Sequence, residues 1–158
     1  MLDIRGNLEK VQQAVERACL RAGRKPDDVL LIAVSKTVEI ERITLAIEAG
    51  VKALGENRVQ EAKEKVAALG RPVPWHLIGS LQTNKAKEAV HLFDWIHSVD
   101  REELARELDR RAHQAGHVLK VLVQVNVGDE PQKGGVQPAE LKRLLDAITG
   151  CRNLDVRG

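Results

Sequence analysis

Val29-Leu30-Leu31-Ile32-Ala33-Val34 is an unbroken apolar run that passes directly into the polar triplet Ser35-Lys36-Thr37. A strand with one wet face alternates apolar and polar residues; a continuous run of this kind reads as a strand buried on both faces of a parallel sheet. On either side the period becomes helical. Upstream, Leu8, Val11, Val15, Ala18, Cys19 and Ala22 make one apolar stripe, with Asn7 as its cap and Gly23 and Pro26 as stop signals. Downstream, Ile40, Ile43, Ala46 and Ile47 mark a helix ended by Gly50, and Val51 to Gly55 a short strand. Val59, Ala62, Val66 and Leu69 mark the next helix, closed by Gly70.

The alternation continues to the last residue. Trp75 to Gly79 is a strand, Asn84 to His91 a short helix and Trp95 to Val99 a strand. Asp100 with Glu103 has capping-box form for a helix carrying Leu104, Leu108, Ala112 and Ala115, ended by Gly116. Lys120 to Val127 is a Val-rich strand, and Pro138 suits the first turn of a helix with Leu141, Leu144, Leu145 and Ile148, closed by Gly150. Leu154 to Arg157 begins a sixth strand. Strands alternating with single helices imply right-handed crossovers and a parallel α/β sheet. A flavodoxin-like open sheet accommodates six strands, but the glycine punctuation of dinucleotide-binding folds is missing. A (β/α)8 barrel fits the regular spacing better, and such barrels need at least about 200 residues and eight strands. With 158 residues, the sequence is expected to form a partial barrel ending in its sixth strand. Residues 1–158 then make a single domain that is the N-terminal portion of a longer polypeptide.

Composition excludes several classes. Two Trp, one Phe and no Tyr leave the core to Ala, Val, Leu and Ile, which disfavours a β-sandwich. Lys and Arg total 25 against 23 acidic residues, and the basic residues are spread along the chain, giving no nucleic-acid signal. No apolar stretch approaches the ~18 residues of a membrane span, and Met1-Leu2-Asp3-Ile4-Arg5 lacks a signal-peptide pattern. Cys19 and Cys151 have no metal-ligand spacing and read as reduced packing residues of a cytoplasmic protein.

In parallel α/β folds the chemistry gathers at the C-terminal ends of the strands. The polar residues there are Ser35, Lys36 and Thr37; Glu56, Asn57 and Arg58; Ser80, Gln82 and Asn84; Ser98 and Asp100; and Gln124, Asn126, Asp129 and Glu130. Alternation puts Ile32, Val34 and Lys36 on one face, so the lysine emerges at a barrel mouth above two apolar layers. Partial desolvation there favours a neutral, nucleophilic amine; the plainer alternative is a strand-ending lysine in solvent. Gly79-Ser80-Leu81-Gln82-Thr83-Asn84-Lys85 fails as a phosphate loop, because Asn84 stands where the second glycine belongs and Ala86 replaces the metal-binding hydroxyl. It reads as a strand-to-helix turn. Gly128 to Gly135 is a polar loop at the same end, either closing over a ligand or lying mobile on the surface. The five histidines form no metal set and read as exposed, His113 and His117 being separated by the helix-breaking Gly116. Arg106, Arg110 and Arg111 among Glu102, Glu103 and Glu107 read as a solvated, ion-paired helix face.

Taken in order, three segments resemble the N-terminal portion of the pyridoxal phosphate homeostasis protein family. They are Ala33-Val34-Ser35-Lys36-Thr37, Gly55-Glu56-Asn57-Arg58-Val59-Gln60-Glu61, and Trp75-His76-Leu77-Ile78-Gly79-Ser80-Leu81-Gln82-Thr83-Asn84-Lys85. Val123-Gln124-Val125-Asn126-Val127 and Lys133-Gly134-Gly135-Val136 extend the likeness, which runs from the first helix to Gly158. It implies a (β/α)8 barrel of the alanine racemase N-terminal type with pyridoxal 5′-phosphate as cofactor. By the same likeness Lys36 forms the Schiff base and Asn57 lines the pocket beside it, with no catalytic residue and no metal ligand assigned. The implied role is intracellular homeostasis of this vitamin B6 cofactor in the cytoplasm, with apo-enzymes as recipients.

The alternative is a pyridoxal phosphate-dependent racemase or lyase acting on amino acids; a third reading is a scaffold or interaction module. Racemase chemistry resembles a two-base mechanism of a lysine and a tyrosine from a second domain, and this sequence contains no tyrosine. In the family, the turns that hold the cofactor phosphate follow the position of Gly158. The chain is therefore expected to carry the covalent anchor without most of the phosphate cradle, in an open barrel with exposed apolar sheet edges.

Overall fold

All six expected strands form, and they lie side by side in chain order as one parallel sheet, β1-β2-β3-β4-β5-β6. They are β1 (Ala33–Val34), β2 (Leu54–Glu56), β3 (Trp75–Leu77), β4 (Trp95–Val99), β5 (Leu119–Val123) and β6 (Leu154–Val156). The helices are α1 (Ile4–Arg21), α2 (Ile40–Glu48), α3 (Val59–Leu69), α4 (Ala86–Leu92), α5 (Glu102–Ala115) and α6 (Leu141–Ile148). This computed structural model describes residues 3–130 and 132–158; Met1, Leu2 and Pro131, the last within the polar loop singled out above, lie outside the described residues. Sequential strand order is that of a barrel, whereas the flavodoxin-like order reverses at a switch point. Here the sheet stays open, with β1 and β6 as its two edges.

The core lies between the outer face of the sheet and the helices. Leu54, Trp75, Leu77, Ile96, Leu119, Val121 and Leu154 pack against Ala62, Ala86, Ala89, Leu104, Leu108 and Leu144. The alanines let helix and sheet approach closely. Aromatics are few, yet Trp75 and Phe93 are among the largest fully buried side chains, so the core is less exclusively aliphatic than composition implied. Gly116 ends α5 in the left-handed region (φ 72°), a conformation open to glycine at little steric cost.

Several local expectations need correction. The cap of α1 is Asp3, whose carboxylate accepts from the Gly6 amide, and Asn7 lies inside the helix. Asp100 and Glu103 form no capping box; α5 starts after Arg101 without a side-chain cap, because Asp100 is engaged elsewhere. The run 29–34 contributes only a two-residue strand, with Leu30 50% and Val34 48% exposed. Burial on both faces requires a packed layer over each face, and the inner face that carries Val34 is left open. The Arg106, Arg110 and Arg111 face is ion-paired to Glu102 and Glu107 as read. Cys19 and Cys151 are free thiols in the interior.

Candidate functional site

The parallel register places Ala33 beside Leu54 and Val34 beside Gly55, so two residues further on Lys36 stands beside Asn57 at the C-terminal rim. The inner face below them is continuous: a Cβ on Gly55 would lie 3.1 Å from Ile32 and 3.3 Å from Ile78. Lys36 is exposed and Asn57 half-buried. Among the described residues no ion pair or hydrogen bond engages the Lys36 Nζ. The partial desolvation expected of Lys36 is not found, because Lys36 follows an edge strand and one flank is open. The β2 and β3 ends approach so closely at Gly79 that a Cβ there would collide with the Asn57 carbonyl and lie 2.8 Å from its Cα.

The backbone carrying Lys36 is held from the opposite face of the sheet. Ser35 Oγ donates to Glu56 Oε1 at 2.7 Å, and Lys65 Nζ donates to the same oxygen at 2.6 Å. Lys65 Nζ also donates to the Ser35 carbonyl at 2.6 Å. Glu56 is 0% and Lys65 8% exposed, so this is a buried ion pair completed by hydrogen bonds. Just past Lys36, Thr37 adopts φ 58°, a left-handed conformation that costs a β-branched residue about 1–3 kcal/mol.

The loop after β5 lies back over the rim. Gln124 Nε2 donates to the Gly134 carbonyl at 2.9 Å, and the Gly135 amide donates to Asp100 Oδ2 at 3.2 Å. Arg101 donates to the other Asp100 oxygen at 2.6 Å and to the Leu81 carbonyl at 3.0 Å, tying the ends of β3 and β4 to this loop. Lys133 pairs with Glu130 at 2.7 Å. The 79–85 segment is the strand-to-helix turn expected, with a 3-10 turn at Thr83–Lys85.

Of the polar residues gathered from sequence, Ser80, Asp100 and Gln124 come together around Gly134, and Asn57 lies against Gly79 at the same rim; Lys36 follows the end of β1 and hydrogen-bonds to none of them. Ser35, Glu56 and Ser98 are buried away from the rim. Sequence reasoning missed Lys65, whose place on the buried side of α3, three residues after Ala62, was the available signal. The histidines also need correction, since two of them are not exposed. His76 is 2% exposed and His97 half-buried, with His76 Nδ1 and His97 Nε2 2.9 Å apart. His76 also stacks on Trp95 with ring centroids 5.5 Å apart. Their position on the inner face, where a strand side chain is covered by its neighbours, explains the difference. Burial, then the neighbouring His97, lowers the His76 pKa to about 4, and burial lowers that of His97. No group of metal-ligating side chains occurs among the described residues, and no described helix is long and apolar enough to cross a membrane.

Comparison with known proteins agrees with this architecture. The family model of the alanine racemase N-terminal domain matches residues 4–158. The pyridoxal phosphate homeostasis protein of Escherichia coli is 40% identical over all of this chain and 69% of its own length. PipY of Synechococcus elongatus, solved with pyridoxal phosphate bound, superposes with a TM-score of 0.78 at 42% identity over 91% of this chain and 68% of its own. Alanine racemase of Clostridium difficile shares the fold, with a TM-score of 0.69 at 19% identity over 83% of this chain and 35% of its own. On the extent of these matches, the chain belongs to the pyridoxal phosphate homeostasis protein family.

Proposed function

We propose that residues 1–158 act as one unit that binds pyridoxal 5′-phosphate as a Schiff base on Lys36, with Asn57 beside it, and serves cytoplasmic homeostasis of the cofactor. The observation that carries this reading is the Lys36 amine itself. It is exposed at the C-terminal rim, unengaged among the described residues, and mounted on backbone fixed by the buried Ser35–Glu56–Lys65 cluster. The cofactor supplies an aldehyde, which condenses with a primary amine with loss of water. The chain supplies that amine, a half-buried amide in Asn57 that is a neutral hydrogen-bonding neighbour, and a loop pinned at the same rim. Relatives named for pyridoxal phosphate homeostasis, and a relative solved with the cofactor, support the assignment.

Holding and passing on the cofactor, with apo-enzymes as recipients, fits the chain's own residues better than turnover. Residues 1–158 themselves contain no tyrosine that could act as the second base of a racemase. Addition of pyridoxal phosphate, borohydride reduction and peptide mapping tests the reading. The label is expected on Lys36 and is expected to disappear in Lys36→Ala; a label elsewhere, or none, refutes attachment. Sustained turnover of D- or L-amino acids that depends on Lys36 would instead favour an enzyme.

A further inference from the structure

The geometry points to Lys65 and Glu61, one turn apart on α3, as positioning residues that set the backbone on both sides of Lys36. This inference rests on Lys36 being the cofactor anchor. Lys65 Nζ donates at 2.6 Å to the Ser35 carbonyl, the oxygen of the peptide unit that joins Ser35 to Lys36. That carbonyl also accepts the Val38 amide at 3.0 Å, so one oxygen closes the turn that presents Lys36. On the other side, the Thr37 amide donates to Glu61 Oε2 at 3.5 Å. The Ser35 amide is tied to the Gly55 carbonyl at 2.9 Å.

Two arms from one helix therefore grip the residues before and after the anchor. Thr37, held by the second arm, is left-handed, a strained conformation that persists only where its surroundings impose it. Glu56 has a separate part. Its Oε1 neutralises Lys65 and accepts from Ser35 Oγ, which lets a charged lysine end sit in the interior. Its Oε2 has no partner among the described residues, so the carboxylate holds this cluster through one oxygen. Ser35, Glu56 and Lys65 lie buried on the face of the sheet opposite to Lys36. They act on the cofactor through the backbone, by fixing where the Nζ starts.

The test removes the arms while sparing the fold. Lys65→Met alone leaves Glu56 as an unpaired buried charge, so the informative variant is the double one, Glu56→Gln with Lys65→Met. It leaves Gln Oε1 to accept from Ser35 Oγ and no buried charge. Folding is followed by far-ultraviolet circular dichroism. Cofactor binding is followed by titration, and cofactor geometry by the induced visible circular dichroism at saturation. In the double variant, affinity is expected to fall about tenfold to a hundredfold, the scale that about 1 Å of misplacement costs. The induced signal per bound cofactor is expected to shrink or change sign, which lost stability alone would not produce. Glu61→Ala, on a half-exposed position that threatens no core, removes the acceptor of the Thr37 amide and is expected to weaken binding by about two- to threefold and to change the induced signal, as loss of a long hydrogen bond should.

Unchanged affinity and unchanged induced signal in a folded double variant would overturn the inference. If that variant does not fold, Glu61→Ala decides it, and an induced signal identical to wild type overturns it. Borohydride labelling of the unaltered protein at a residue other than Lys36 would instead remove the anchor assignment, leaving the two failures distinct.

Discussion

Lowering the pH should destabilise this fold through His76 well before its carboxylates are protonated. His76 lies on the inner face between Trp95 and His97, and its pKa is lowered from 6.5 to about 4. Burial is the largest cause, His97 and Lys120 act in the same direction, and Asp94 opposes them. A histidine whose pKa is depressed on folding binds its proton more readily in the unfolded chain. Its contribution to stability is therefore complete above pH 6.5 and is lost as the pH falls from 6.5 towards about 4. Each unit corresponds to about 1.4 kcal/mol, which sets a ceiling of about 3 kcal/mol. Screening through the open inner face reduces this to about 1–2 kcal/mol.

His97 adds to the loss, since its pKa is also lowered. The 2.9 Å contact between His76 Nδ1 and His97 Nε2 accommodates one shared proton but not two, so the rings titrate as a pair. Urea unfolding between about pH 7 and pH 4.5 measures the effect against His76→Phe, which keeps a ring against Trp95. The wild type should lose about 1–2 kcal/mol more than the variant over that range. Parallel curves would refute the reasoning, as would an NMR titration that places His76 at its ordinary value. Asp94→Ala should lower the His76 midpoint further.

Two other perturbations follow from the packing of the rim. Gly79→Ala forces a Cβ into the Asn57 backbone, and because backbone cannot swing aside it should cost about 1–3 kcal/mol in urea unfolding. An unchanged midpoint would mean that the ends of β2 and β3 separate freely. Asp100→Ala frees the Gly135 amide and one guanidinium nitrogen of Arg101, and hydrogen exchange across 132–136 should accelerate by about tenfold, the equivalent of one hydrogen bond. Exchange at the wild-type rate would show that the Gln124–Gly134 bond and the backbone bonds of Val136 to Gln124 and Asn126 hold the loop without Asp100.

How much of this was legible in sequence depended on where each signal came from. Strand β4 matches its expected limits, Trp95 to Val99, and α3 ends at Gly70 as read, because local patterning and glycine chemistry fix both. The run 29–34 is more apolar than any other strand, yet Val29, Leu30 and Val34 are exposed and the rest only half-buried. Its burial depends on the layers packed over its faces and cannot be read from its own residues. Asp100 has a capping-box spacing, but a carboxylate within reach of Arg101 and the Gly135 amide spends its lone pairs there. Lys65 was hidden for a different reason. A lysine on a helix reads as solvent-facing, and only the tertiary meeting with Glu56 makes its burial tolerable. For His76, strand alternation does place it opposite Trp75 and Leu77, hence on the inner face; what sequence lacks is His97 across the register.

The two faces of the sheet thus divide the work. The outer face, packed on helices, holds Ser35, Glu56 and Lys65 in fixed geometry, and its rigidity is transmitted to Lys36 through main chain. The inner face carries Lys36 and Asn57 at the rim and the histidine pair deeper in. A parallel strand makes this division unavoidable, because residues adjacent in sequence point to opposite faces. Ser35 and Lys36 are such neighbours: one is locked into the core, and the next is released at the rim. The Lys36 amine can remain free of partners because its support lies in the residue before it. The same logic explains why Glu56 and Asn57, also consecutive, are respectively buried and half-buried. A reading that considers only side chains at the inner rim stops at Lys36 and Asn57, the proposed anchor and its neighbour. It would miss the pair of charges, one residue back and one helix away, that determine where that lysine stands.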